Sequence, residues 1–339
     1  MIHINKEILH FLNKSLTLKR IFNAFQSIFS YLSSIILKKP IIRGYPPIVM
    51  IEPTNICNLK CPLCPSGNGS LKREKGFMDF NLFKKIIDEI ADKSLMVILW
   101  NQGESFLNQD FLKMCKYASQ KGLYTLVSTN ANIELDAEKI VRAGIDTLIF
   151  SIDGLTQATY NKYRVNGNLD KVIENLKALI EVKDQYRLKL PLIEWQFLVM
   201  KHNEHEVKKV KKFAKKIGVD SLKFKSVQIY SKEDIKFLPE SNKYRRYKIN
   251  NNDFSLNIEL KNRCRRLWQQ PVVNWNGEVA VCCFDKDNEI KMGNIKNKSL
   301  GEIWCSQKFN KFRKKILNNR AQVKMCRNCG EGVKLKYEK

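Results

Sequence analysis

From residue 48 onward, short apolar strands alternate with amphipathic helices, and no other feature of this chain limits its fold as much. The strand candidates are 48–52, 95–100, 123–129, 146–152, 193–200 and 221–227. Helical periodicity fills the intervals at 80–91, 110–121, 137–143, 172–182 and 204–217. Strands separated by helices pair in parallel, since each crossover returns the chain to the same end of the sheet. The expectation is an α/β protein, a partial (β/α)6 TIM-like barrel, whose chemistry gathers at the C-terminal strand ends.

The flanks differ from this core. Residues 1–47 read as an N-terminal amphipathic helical leader, with Leu18, Ile21, Phe22, Phe25, Phe29, Leu32 and Ile36 at three- and four-residue steps. Lys19–Arg20 and Lys38–Lys39 make its ends basic. Such a helix either lies on a membrane surface or covers one end of the barrel. Pro40 and the Pro46–Pro47 pair end it. Residues 48–227 form the core, 228–262 a polar linker, and 263–339 a small cysteine-rich α+β unit. In that unit, 271–275 and 278–282 flank Asn276–Gly277, which predicts a hairpin with a type I′ turn that delivers Cys282.

Composition narrows the function. With 339 residues and 44% hydrophobic content, the chain can bury one large core or two. No apolar stretch approaches the ~20 residues of a membrane span, and no signal-peptide core appears. The ten cysteines cluster rather than pair along the chain, which reads as metal ligation in a reducing cytoplasm. Cys115 and Cys305 read instead as small core residues, and His202 and His205 as surface residues. A net charge of +26 raises nucleic acid or an anionic membrane as partners. Its lysines are spread throughout, and the densest run, 208–216, sets Val207, Val210, Phe213 and Ile217 at helical spacing. Those lysines are a solvated helix face, so nucleic-acid binding is not expected.

Just past the first strand stand Cys57, Cys61 and Cys64, spaced CxxxCxxC. Three thiolates can hold three irons of a cubane cluster and leave the fourth open. Taken alone, the triplet also reads as a zinc knuckle short of one ligand, or as disulfide-prone thiols. Gln102-Gly103-Glu104 follows the second strand, Ser128-Thr129-Asn130 the third, and Ser151-Ile152-Asp153-Gly154 the fourth. Arg164 lies thirteen residues past Ser151. In this order the motifs resemble the radical S-adenosylmethionine (radical SAM) superfamily. Gln102 stands where glycine is commoner, and Leu63 where an aromatic residue is common. Cys264, Cys282, Cys326 and Cys329 are similar to the superfamily's SPASM/Twitch extension.

The resemblance implies a 4Fe–4S cluster on Cys57, Cys61 and Cys64, its open iron chelated by S-adenosylmethionine. One electron then yields methionine and a 5′-deoxyadenosyl radical, which takes hydrogen from the substrate. It implies cofactor contacts for Gly103, Glu104, Ser128, Asn130, Ser151 and Arg164. Read from the residues alone, Glu104 is equally a loop acid, Ser128 and Asn130 helix caps, and Arg164 half of a surface ion pair. Full extensions hold two auxiliary clusters, whereas four cysteines fit one auxiliary 4Fe–4S cluster, fully ligated and suited to accept an electron. Cys283 competes with Cys282, but adjacent residues of a strand point to opposite faces, which favours Cys282. Asp285 is a candidate general base, or a turn acid after the hairpin.

The expected activity is that of an oxidoreductase acting on a small carbohydrate or alcohol, with a peptide or protein side chain as the alternative. A low-potential donor such as flavodoxin or ferredoxin would supply the electron. The expected place is the cytoplasm, with the leader helix able to bring the chain to a membrane periphery. A non-catalytic iron–sulfur module for nucleic acid or a membrane surface is the reading of another class.

Overall fold

The computed structural model describes residues 6–251 and 253–330; 1–5 of the leader, Asn252 and 331–339 of the C-terminal unit lie outside the described residues. Strands β1 (Ile48–Ile51), β2 (Met96–Ile98), β3 (Tyr124–Thr129), β4 (Thr147–Ser151), β5 (Leu192–Val199) and β6 (Ser221–Ser226) pair side by side in sequence order, all parallel. Helices α1 (Lys6–Ser15) and α2 (Leu18–Leu37) precede β1, and the single turn α3 (Pro65–Asn68) opens the first crossover. The crossover helices are α4 (Phe80–Ile90), α5 (Phe111–Gln120), α6 (Ala137–Arg142), α7 (Gln157–Asn161), α8 (Leu169–Gln185) and α9 (Val207–Ile217). Their starts are written in the sequence. Asp79, Asp136, Thr156 and Asn168 each accept a backbone N–H of the first turn that follows.

Strand side chains alternate, as the pleat requires. Val49, Ile51, Val97, Val127, Phe150 and Trp195 pack under the helices, while Met50, Ile98 and Leu126 face the other side. On α9 the buried residues are Val207, Val210 and Ala214, so its lysines face solvent as expected. Cys115 is fully buried in the core, but Cys305 is exposed at the end of α11 (Leu300–Cys305), after α10 (Arg266–Gln269). Trp304, its neighbour, takes the inward place on that short helix.

The cysteine-rich unit is continuous with the core sheet. β9 (Val272–Val273) pairs in parallel with β1, β10 (Glu278–Ala280) runs antiparallel to β9, and β11 (Lys291–Asn294) completes a nine-stranded sheet. The hairpin thereby covers the backbone edge that β1 would otherwise expose. Its turn differs from expectation. Gly277 takes positive φ (86°) and Asn276 does not. The Gly277 N–H closes a turn on the Asn274 carbonyl at 2.9 Å, and Asn276 Oδ1 accepts the Glu278 N–H at 3.1 Å. The asparagine side chain thus satisfies the turn, and only the glycine supplies the left-handed residue, which rules out type I′.

The polar segment 228–262 packs rather than simply connecting. It contains the hairpin β7 (Tyr247–Asn250) and β8 (Asp253–Leu256), and Tyr247 is buried with Leu59, Leu63 and Tyr163. The Tyr247 hydroxyl donates to Asn328 Oδ1 at 2.8 Å, which ties this segment to the last cysteine loop. At the opposite end of the barrel, α1 and α2 cover the N-terminal ends of the strands. Lys14 Nζ lies 2.6 Å from Asp146 Oδ2 just before β4, and Arg20 donates to the carbonyls of Lys121 and Gly122 just before β3. Among the described residues no helix is long and apolar enough to cross a membrane.

Candidate active site

The first four parallel strands deliver their motifs to one place. Cys57, Cys61, Cys64, Gly103, Glu104, Ser128, Asn130, Ser151 and Arg164 all line a single cavity of about 190 Å³. All three triplet cysteines and all six candidate cofactor contacts are therefore neighbours.

Gly103 has φ of 77°, and a Cβ there would lie 2.6 Å from the backbone carbonyl oxygens of both Thr54 and Ile56. No other residue fits this passage, where the loop after β2 presses on the loop after β1. Gln102, the departure from the family pattern, is put to use: its Oε1 accepts from Ser66 Oγ at 3.3 Å and lies 3.9 Å from Cys64 Sγ. Glu104 is buried. Its carboxylate accepts the Asn130 N–H at 2.7 Å, Thr129 Oγ1 at 3.0 Å and the Phe106 N–H at 3.3 Å. Burial nevertheless pushes its carboxyl up to about 7, so it is not a solvated loop acid.

Asn130 Nδ2 bonds Asn58 Oδ1 at 3.0 Å, and Ser128 Oγ lies 3.4 Å from Ser151 Oγ. Neither residue caps a helix, since Asp136 caps the next one. Arg164 is paired, but not at the surface. Its Nε and Nη2 both lie 2.7 Å from Asp153 Oδ2 in the cavity wall. Burial opposes its charge, but Asp153 and Cys61 more than offset that and hold the guanidinium ionised.

The residues present fit an iron–sulfur cluster. The Leu59 N–H and Asn130 Nδ2 approach Cys57 Sγ at 3.5 and 3.7 Å, and Arg164 Nη1 approaches Cys61 Sγ at 4.0 Å. N–H donors aimed at sulfur are what thiolates on iron use. Burial pushes the Cys57 thiol up to about 12 and raises that of Cys61, so a thiolate here needs metal charge beside it. Among the described residues, no three Cys, His, Asp or Glu converge as one metal ion requires.

Several residues of the site were not singled out from sequence. Trp100 and Tyr163 line the cavity, and Asp153 pins Arg164. Glu52, fully buried, is gripped by Arg73 at 2.7 and 2.5 Å and accepts the Gln102 N–H at 3.2 Å. An acid closing an apolar strand, as Glu52 and Asp153 do, was the available signal.

At the other site, Cys282 lies within electrostatic reach of Cys264 and Cys329, and Cys326 of Cys329 and Cys264. Burial, then the neighbouring cysteine, drives the Cys282 thiol upward, and burial pushes Cys326 up to about 12. Cys283 faces away, packing with Met50, Ile98 and Trp100 on the inner face of the sheet, where its Sγ accepts from Arg266 Nη1 at 3.6 Å. Arg320, buried and unforeseen, stands beside three of the four cysteines; burial opposes its charge, and Cys329, Cys264 and Cys326 outweigh that. Asp285 accepts the N–H groups of Glu289 and Ile290 at 2.8 and 3.0 Å, as a turn acid does. It also lines a cavity of about 310 Å³ shared with Pro65, Tyr230 and Lys324, and burial raises its carboxyl.

Comparisons with known proteins agree with this geometry. The radical SAM superfamily matches residues 51–214, and an iron–sulfur cluster-binding domain, SPASM, matches residues 264–330. The chain belongs to the radical SAM superfamily and carries a C-terminal SPASM domain; its cofactors are iron–sulfur clusters and S-adenosylmethionine.

The chain is similar to the tungsten-containing aldehyde ferredoxin oxidoreductase cofactor-modifying protein of Pyrococcus furiosus. They are 26% identical over 297 residues, 78% of this chain and 82% of that protein. It is also 26% identical over 190 residues to the PqqA peptide cyclase of Bradyrhizobium diazoefficiens, covering 55% of this chain and 48% of that protein. The chain therefore spans about half the length of the cyclase. Among solved structures it resembles Streptococcus suis SuiB bound to its precursor peptide SuiA, with TM-score 0.62 and 16% identity. That likeness covers 93% of this chain and 76% of SuiB, and at such identity it concerns the fold.

Proposed function

We propose that this chain is a radical SAM oxidoreductase that begins by abstracting hydrogen from its substrate and ends by passing an electron to one auxiliary 4Fe–4S cluster. The observation that supports this most is the gathering of the three cysteines and six motif residues around one cavity. Cys57, Cys61 and Cys64 would hold the first cluster, and Cys264, Cys282, Cys326 and Cys329 the second. When bound, the first cluster and S-adenosylmethionine supply a one-electron cleavage that ends in methionine and 5′-deoxyadenosine.

The protein's part is position and charge. Glu104 accepts hydrogen bonds from the cofactor's amino group, and Arg164, anchored on Asp153, faces its carboxylate. Gly103 lets the loop after β2 lie close to the cluster loop, while Ser128, Asn130 and Ser151 offer polar contacts to the ribose. Trp100, Leu59 and Tyr163 supply the apolar wall that keeps water from the reacting centre. Asp285 would take the proton a substrate loses as it is oxidised; that it lines the second cavity, with burial raising its carboxyl, supports the role.

A small carbohydrate or alcohol is the favoured substrate. The support is that residues 6–47 are spent on helices packed against the barrel rather than on a peptide-binding fold. A peptide side chain is the second reading, favoured by the similarity to a peptide cyclase. Anaerobic reconstitution and reduction with dithionite or a reduced flavodoxin tests the activity. The expected result is 5′-deoxyadenosine; none, with both clusters intact, ends the proposal. A panel of polyols against candidate peptides then separates the two substrates by which one accelerates cleavage.

A further inference from the structure

Helix α2 is inside out. Its polar residues Arg20, Asn23, Ser27, Ser30 and Ser34 are buried against the barrel, and its large apolar residues face outward. Leu18 is 87% exposed, Phe22 66%, Phe25 72% and Ile36 78%, with Phe29 and Leu32 also exposed between them. A soluble helix ordinarily shows the reverse.

The orientation is locked by hydrogen bonds that a rotated helix would lose. Arg20 donates to the carbonyls of Ala91, Lys121 and Gly122 at 2.8, 2.7 and 2.5 Å. Asn23 Nδ2 donates to the Lys93 and Tyr45 carbonyls at 2.7 and 3.0 Å, and Ser27 Oγ to the Trp268 carbonyl at 2.8 Å. Ser30 and Ser34 accept the N–H groups of Arg43 and Ile41, both at 2.8 Å. Each bond satisfies a group that burial would otherwise leave costly. The apolar stripe therefore stays outward along twenty residues, about 30 Å of helix.

We infer that this stripe is a docking face for a membrane surface carrying anionic lipid. Charge selects that occupant. Between Glu7 and Glu52 the sequence has no acidic residue but carries Lys14, Lys19, Arg20, Lys38, Lys39 and Arg43. Lys38 and Lys39 are exposed at the C-terminal end of the stripe, and at its other end Lys19 is exposed beside Asp92, 3.4 Å away. An apolar face flanked by exposed cations matches the boundary between acyl chains and anionic headgroups. A second copy of the chain is disfavoured, because face-to-face docking would bring two bodies of +26 together. Since α2 covers the N-terminal strand ends and the cysteine cavity lies at the C-terminal ends, the docked enzyme presents its cavity to the aqueous side.

Flotation of the full chain with vesicles tests this. Vesicles of phosphatidylcholine and phosphatidylglycerol in about a two-to-one ratio should carry it upward, and phosphatidylcholine alone should carry much less. Phe22→Glu/Phe25→Glu/Phe29→Glu should lower the partition at least about tenfold, while Phe25→Leu keeps it. Lys38→Gln/Lys39→Gln, which leaves the apolar face untouched, should weaken binding to anionic vesicles and flatten its salt dependence. Iron content and circular dichroism show whether each variant is folded. Failure of the wild type to float, or unchanged flotation of a folded triple variant, overturns the inference. So does a lipid-free dimer that the triple variant dissociates, which would assign the face to a second copy.

Discussion

Cys57, Cys61 and Cys64 come from one eight-residue run, whereas Cys264, Cys282, Cys326 and Cys329 come from three separate segments of the C-terminal unit. The first group borrows its surroundings from three other strands: a buried acid from the loop after β2, amide and hydroxyl groups from β3 and β4, and, after β4, an arginine anchored on Asp153. Cys264, Cys282 and Cys326 of the second group pack against the hydrophobic core, with Arg320 beside Cys264, Cys326 and Cys329. A local triplet leaves room for a ligand from outside, and the polar groups around it are arranged to receive one. Four cysteines on one cluster would fill their own site and suit electron transfer rather than binding.

The strongest way to break this contrast is to remove the triplet. With both clusters filled, iron should number about eight per chain, two cubanes of four. Replacing Cys57, Cys61 and Cys64 together by Ala should leave about four and abolish 5′-deoxyadenosine formation. A value near zero would mean that the C-terminal cysteines hold nothing without the first site. Next in size is Cys282→Ala, which should also leave about four irons but keep cleavage of S-adenosylmethionine while oxidised product disappears. Cys283→Ala should keep both clusters, because Cys283 faces the inner side of the sheet. Parallel iron assays and product analysis decide between the two cysteines.

Much of this contrast was legible in the sequence. Six strands followed from short apolar runs, which burial on both faces of a parallel sheet enforces, separated by helical periodicity. The motif residues were legible because each follows a strand, and parallel strands bring their C-terminal ends together. Asp153 and Glu52 were harder, since their role lies in pairing with Arg164 and Arg73, contacts that no local pattern encodes. Arg320 was invisible for the same reason. The leader was legible as amphipathic but not in its orientation. Hydrophobic periodicity reports that a helix has two faces, and only the carbonyls awaiting Arg20 and Asn23 decide which face turns inward. Cys305 failed because a six-residue helix has room for few inward positions, and Leu300, Ile303 and Trp304 take them.

Glu104 gives a smaller effect with a definite sign. Its folded carboxyl sits at about 7, above the ordinary 4.5, through burial. Without cofactor, stability is therefore highest below about pH 4.5 and is lost as pH rises toward 7, while the folded chain still holds a proton the unfolded chain has released. The cofactor's amino group bonds best to the ionised form, so affinity for S-adenosylmethionine should rise through pH 7 and then level off. Glu104→Gln should bind about tenfold more weakly at pH 8 and lose the pH dependence of both affinity and thermal stability. Calorimetric titration and melting curves between pH 5 and 8 read the two arms separately, and a pH-independent wild type would remove Glu104 from the cofactor's contacts.

The smallest expected effect sharpens the contrast from the other side. Arg320 is a buried cation beside Cys329, Cys264 and Cys326, and it is held charged by them. A positive charge beside an all-thiolate cluster stabilises the reduced, more negative state, so Arg320→Met should lower that cluster's midpoint potential by tens of millivolts without changing iron content. Arg320 also donates to the Arg263 carbonyl at 3.2 Å, and losing that bond alone would destabilise the loop. Arg320→Lys separates the two roles by keeping the charge without the fork of donors. If the potential follows charge, Lys restores it; if both variants melt early at an unchanged potential, Arg320 is a strut and the distal site is tuned by burial alone.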